Sequence, residues 1–252
     1  SSTRTRTSFE IAAKRLGAEV LSIAVAASSV SKGESLVDTL NTLGAMRPDA
    51  IVMRHAASGA PHFLSRYLPI PIVNAGDGTH EHPTQALLDA RTILDRRGTL
   101  ENLRVAIIGD IAHSRVARSN IFLLSKFGVD VVLCGPASLL PREMSAIAPG
   151  VELTTDMETA IRGVDVIMML RVQLERQHEA AFPANEYFRF YGLRPEHIER
   201  AKPDVIVMHP GPINRGQEIS SEVADSQRSA ILNQVENGVA VRMAVLERVL
   251  AE

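Results

Sequence analysis

Apolar residues fall into two alternating kinds of run along the chain. Short, β-branched stretches occupy Glu19 to Val25, Ala50 to Arg54, Val105 to Gly109, Val129 to Cys134, Val164 to Leu170 and Asp204 to Met208, and they predict strands. Most lack the alternation of a half-exposed sheet, which predicts burial on both faces. Amphipathic stretches separate them, at Glu34 to Leu43, Thr84 to Arg97, Ser114 to Phe127 and Ser229 to Leu250. Strands spaced by helices imply βαβ units and parallel pairing. Charged residues and Gly98 between Arg96 and Asn102 mark a boundary. The expected fold is therefore α/β, with two doubly wound parallel-sheet lobes and helices on both faces. One lobe is expected over 1–84 plus 235–252 and the other over 100–232.

The start departs from this rhythm. A polar, basic segment from Ser1 to Thr7 runs into a helix-like stretch from Ser8 to Leu16, closed by Gly17, with no strand before it. Such a loop normally follows a strand in a parallel α/β unit, so the fold is expected to be N-terminally incomplete.

Composition narrows the function classes. Apolar residues make up 45% and charged residues 22% of 252 residues, and 27 Lys and Arg balance 29 Asp and Glu at a formal charge of -2. No global basic field draws the chain to nucleic acid or anionic lipid, so any anion must be bound locally. No apolar run approaches the roughly 18 residues of a membrane span. A single cysteine, Cys134, excludes an internal disulfide and fits a reducing, cytoplasmic setting.

Several segments carry candidate chemistry. Ser2 to Ser8 places hydroxyls and two guanidinium groups, Arg4 and Arg6, beside the free N–H groups of a helix start, an arrangement suited to phosphate; by itself the segment is equally a terminal tail with incidental arginines. Arg54 ends a predicted buried strand, where ligands bind in open α/β sheets. Asn74 to Gln85 reads as a glycine-bent loop that puts His82 and Gln85 beside a helix beginning near Pro83. His80, Glu81 and His82 lack the third or fourth convergent ligand a zinc site needs, whereas a neutral His82 can donate to a developing oxyanion. Val105 to Asp110 followed by Ser114 to Ser119 resembles a dinucleotide-binding opening but lacks Gly-x-Gly-x-x-Gly, which disfavours NAD. Arg115 at that turn suits a carboxylate. Arg171 and Gln173 follow another strand, and Pro210, Gly211 and Pro212 form a rigid turn after a third.

Taken together, Ser-Thr-Arg-Thr-Arg at 2–6, His-Pro-Thr-Gln at 82–85, Arg-Val-Gln at 171–173 and His-Pro-Gly-Pro at 209–212 resemble the carbamoyltransferase family, over essentially the whole chain. His-Pro-Thr-Gln and the cysteine-free His-Pro-Gly-Pro resemble its aspartate-using branch; the ornithine-using branch typically carries a cysteine near both places. The resemblance implies carbamoyl transfer from carbamoyl phosphate to the amine of L-aspartate, in de novo pyrimidine biosynthesis, with no cofactor and no metal. It implies that Ser2, Thr3, Arg4 and Thr5 hold phosphate, that Arg54, His82 and Thr5 contact the carbamoyl carbonyl, and that Gln85 binds its amide. Arg115, Arg171 and Gln173 would hold the carboxylates of aspartate, and Pro210 to Pro212 would meet the carbamoyl group and amine. The first lobe would be the carbamoyl-phosphate domain and the second the aspartate domain. Ser28 and Lys32 match a loop that reaches a neighbouring subunit's site, on carbamoyl phosphate and, for Lys32, aspartate, which implies a homotrimer. The family carries a helix and a strand before its Ser-Thr-Arg-Thr-Arg loop, so activity is expected to depend on upstream residues. An ornithine-type enzyme and a catalytically silent scaffold stay open as alternatives, as does a regulatory chain or dihydroorotase partner.

Overall fold

Parallel pairing organises every named strand. The computed structural model describes residues 3–23, 35–172 and 184–251. By the density of its internal packing the chain divides into two units, 1–84 with 238–252, and 85–237.

In the first unit, α1 (Thr3–Arg15) and α2 (Leu36–Ala45) precede β1 (Ile51–His55), and α3 (Ala60–Leu64) leads to β2 (Ile72–Asp77). β1 and β2 pair in parallel, with Ile51 beside Ile72 and Met53 beside Asn74. A core of Phe9, Ala12, Val73, Ala75 and Leu246 fastens α1 to this sheet and to the final helix. α1 ends in a Schellman motif: Gly17 has φ 77°, its N–H bonds to the Lys14 carbonyl, and the Ala18 N–H bonds to Ala13, both at 3.0 Å. The strand expected at Glu19 to Val25 does not form over 19–23, the part of it that is described. Leu21 and Ile23 stand exposed there, because β-propensity yields a strand only where a neighbour accepts its hydrogen bonds.

The second unit contains a five-stranded sheet in the order β5-β4-β3-β6-β7. Its strands are β3 (Arg104–Ile108), β4 (Asp130–Cys134), β5 (Val151–Thr154), β6 (Val166–Met169) and β7 (Ile206–Met208), connected through α5 (Arg115–Leu124), α6 (Met157–Ile161), α7 (Ala184–Tyr191) and α8 (Pro195–Ile198), with α9 (Ser221–Ala224) following β7. Along β3, Val105 and Ile107 face one hydrophobic core and Ala106 and Ile108 face another. Unbroken apolar runs thus reflect two buried faces, as expected from their lack of alternation. α4 (Pro83–Arg97) and α10 (Ile231–Leu250) each run across the division between the units. Beneath the sheet's amino ends, buried Asp165 accepts from Arg97 Nη2 at 2.6 Å, from Lys202 Nζ at 2.8 Å and from the Arg104 N–H at 2.9 Å, holding β3 and β6 in register.

Candidate active site

The expected loop before Ser8 is helical from Thr3 onward, so Thr3, Arg4 and Thr5 form the first turn of α1. Backbone N–H groups there have no intrahelical acceptor, and the positive end of the helix dipole lies beside them. That turn contains no acidic residue, whereas Lys14 and Arg15 occupy the last, leaving the helix start receptive to an anion. Arg242 of α10 steadies the same helix from within the first unit. It donates to Ser8 Oγ at 2.7 Å, and its guanidinium lies 5.1 Å from the centre of the Phe9 ring. Arg54, exposed on β1, donates to the buried Thr5 Oγ1 at 3.4 Å, which brings two sequence-predicted residues together.

The segment read as a loop from Asn74 is instead strand as far as Asp77, followed by a tight turn. Asp77 is buried and accepts from Asn74 Nδ2 and the Glu81 N–H, both at 3.0 Å, and from the Gly59 N–H, while His80 Nδ1 lies 3.1 Å away. Burial opposes the charge on Asp77, but the hydrogen bonds from Asn74, Gly59, His80 and Glu81 together win and hold its carboxyl below the usual carboxylate range. The turn delivers His82, which is 4% exposed, directly before Pro83, the first residue of α4. His80 serves this turn, and among the described residues no three His, Cys, Asp or Glu side chains are grouped to hold a metal ion.

In the second unit the chain reverses its winding between β3 and β6, neighbours that lead in opposite directions across the sheet. Open α/β sheets bind ligands outside the carboxyl ends of strands at such a switch point. Arg115 begins α5 after β3, capped by Ser114, whose hydroxyl accepts the Ala117 N–H at 3.1 Å. Arg171 follows β6 and is half-buried. Gly109, just after β3, has φ 141°, and a Cβ there would lie 2.9 Å from Leu170 Cβ just after β6, so the close approach of the two strand ends requires glycine.

The turn after β7 sits at the same edge of the sheet. The Gly211 N–H donates to His209 Nδ1 at 2.8 Å, which leaves the ring proton on Nε2, facing Glu218 Oε1 at 3.1 Å. Glu218 is fully buried and also accepts the Asn214 N–H. A carboxylate thus clamps a histidine, and the histidine clamps Pro210 to Pro212. Gln85, on α4, donates Nε2 to the buried Asp89 at 2.8 Å. Cys134 is not a reactive thiol, because burial first and the charge of Asp156 second push it up to about 12.

Glu218 and Asp89 are the functional candidates that sequence reasoning missed. Glu218 left no signal, being one acid among polar turn residues. Asp89 was detectable, since Gln85 and Asp89 are four apart on a predicted helix and must share a face. Ser2, Ser28, Lys32 and Gln173 lie outside the described residues.

Known proteins are similar to this chain in sequence and in fold. Residues 1–95 match the family model described as aspartate/ornithine carbamoyltransferase, carbamoyl-P binding domain, and 101–249 match the Asp/Orn binding domain of the same family. The aspartate carbamoyltransferase catalytic subunit of Solibacter usitatus is 80% identical over 99% of this chain and 83% of its own length. That of Geobacter sulfurreducens is 58% identical over 99% and 80%. Aspartate transcarbamoylase from Trypanosoma cruzi in complex with N-(phosphonacetyl)-L-aspartic acid superposes with a TM-score of 0.88 at 34% identity, covering 98% of this chain and 79% of that one. Ornithine carbamoyltransferase from Pyrococcus furiosus gives 0.90 at 32% identity, covering 100% and 82%.

Proposed function

The chain belongs to the aspartate/ornithine carbamoyltransferase family, and we propose that it transfers the carbamoyl group of carbamoyl phosphate to the amine of L-aspartate. The products are N-carbamoyl-L-aspartate and phosphate, in de novo pyrimidine biosynthesis. The observation that carries the choice of amine is the pair Arg115 and Arg171 at the carboxyl ends of adjacent strands β3 and β6. Two guanidinium groups suit the two carboxylates of aspartate, whereas the cationic side chain of ornithine would be repelled by Arg171. The names of the curated relatives at 80% and 58% identity support the same choice.

Ser2, Thr3, Arg4 and Thr5 hold the phosphate at the start of α1, and 1–84 with 235–252 serves as the carbamoyl-phosphate domain. Residues 100–232 serve as the aspartate domain, where Arg115, Arg171 and Gln173 take the carboxylates. The amine of aspartate attacks the carbamoyl carbon and forms a C–N bond. The electron pair of the carbonyl moves onto oxygen, where Arg54, Thr5 and His82 stabilise the charge. The intermediate collapses, the C–O bond to phosphate breaks, and the departing phosphate accepts the proton lost by the amine. No protein nucleophile takes part; the chain supplies orientation and electrostatics. Gln85 accepts from the carbamoyl amide, and Pro210 to Pro212 present backbone carbonyls to it and to the amine. Ser28 and Lys32 act in a neighbouring subunit of a homotrimer.

Paired substitutions test the assignment. His82→Ala is expected to lower kcat about 10²–10³-fold, the usual effect of losing one oxyanion donor, with the KM for aspartate little changed. Arg171→Ala is expected to raise the KM for aspartate first. Steady-state kinetics with the two effects exchanged contradict these roles.

A further inference from the structure

Asp89 touches no reacting atom in the proposed transfer, yet it dictates how three amides face. It lies fully buried on α4. Gln85 Nε2 and Gln234 Nε2 donate to its Oδ1 at 2.8 and 2.7 Å, and Asn120 Nδ2 donates to Oδ2 at 2.9 Å. A carboxylate accepting on both oxygens has no proton to give, so each amide must turn its NH₂ group inward. Gln85 and Gln234 consequently carry their carbonyl oxygens on the side away from Asp89. For Gln234 the destination is visible: its Oε1 accepts the backbone N–H of His209 at 2.9 Å, at the base of the Pro210 to Pro212 turn. Gln85, on the same carboxylate oxygen, is oriented by the same rule.

We propose that Asp89 is a positioning residue for carbamoyl transfer. It fixes Gln85 with its carbonyl oxygen toward the substrate, ready to accept an N–H of the carbamoyl amide, and through Gln234 it sets the start of the turn that meets the same group. The inference rests on the reading of Gln85 as the carbamoyl-amide acceptor. Without the carboxylate, Gln85 gains a second orientation in which NH₂ faces NH₂ and binding is lost. Inorganic phosphate, which has no amide, is insensitive to the difference.

Asp89→Asn is nearly isosteric, but its own NH₂ faces an N–H donor in either orientation. Calorimetric titration with carbamoyl phosphate and, separately, inorganic phosphate measures the preference for the carbamoyl group. Asp89→Asn is expected to weaken carbamoyl phosphate about tenfold or more while phosphate stays within about twofold, and to lower kcat about 10–100-fold, by analogy with the residues that orient metal ligands. Equal weakening of both ligands, or of neither, overturns the role. Should this variant fail to fold, Gln85→Glu combined with Asp89→Asn keeps one carboxylate in the pair and an acceptor toward the substrate. That double variant is expected to retain most of the preference for carbamoyl phosphate, and its loss overturns the role. An unaltered chain that forms no carbamoyl aspartate from its two substrates overturns the underlying reading itself; an active one whose preference survives Asp89→Asn overturns only the part assigned to Asp89.

Discussion

Replacing Glu218 by alanine removes the acceptor that orients His209, and the structure sets the size of the effect. His209 Nε2–H and the Asn214 N–H both lose Glu218 Oε1. His209 is fully enclosed, so its donor is left unsatisfied at a cost of about 1–3 kcal/mol. Asn214 is half-buried, and water reaching its N–H makes that loss smaller. Part of the cost is offset because Glu218 Oε2, which has no hydrogen-bond partner among the described residues, no longer has to be buried. The net destabilisation is about 1–3 kcal/mol, or roughly 3–10 °C in Tm for a protein of this size. The kinetic consequence follows from what His209 holds. Its Nδ1 accepts the Gly211 N–H only while the ring keeps its present tautomer, so the turn at Pro210 to Pro212 loosens and kcat falls, while phosphate, bound at α1, keeps its affinity. Thermal unfolding, steady-state kinetics and phosphate titration on one preparation read all three quantities. Stability unchanged within about 0.5 kcal/mol, or phosphate affinity falling in step with kcat, refutes the reasoning.

Asp77 makes stability depend on acid. Its folded pKa lies below the unfolded value of about 3.9, so its contribution is complete above that value and is lost as pH falls through the lower folded one; urea unfolding between pH 2 and 6 should show this loss, and Asp77→Asn should abolish it. Sedimentation is expected to give three times the mass of one chain, and a monomer that is fully active contradicts the shared site.

The alternation of apolar runs and amphipathic segments made the five-stranded sheet largely legible, because β3, β4, β6 and β7 are buried on both faces and read as unbroken β-branched stretches. β2 was not legible: Asn74, Gly76 and Asp77 are turn formers, and pairing with β1 overrides their preference. Among the described residues β5 pairs only with β4, at the margin of its sheet, and its Glu152 and Thr154 dilute the apolar signal. The reverse error at Glu19 to Ile23 has the same origin, since a strand is a property of two segments and sequence displays one. Among the proposed site residues, the places of the arginines after strands and of Thr3 to Thr5 at a helix start were legible, because a position relative to an element can be read from pattern. Glu218 was not, since its role exists only once the chain returns it to His209.

The most direct test of the central claim is competition between amines: purified protein is given ¹⁴C-carbamoyl phosphate with equal L-aspartate and L-ornithine, and the labelled products are separated. The arginine pair at the carboxyl ends of β3 and β6 predicts label almost entirely in N-carbamoyl-L-aspartate. Label predominantly in citrulline, or in neither product while phosphate is released, would contradict it.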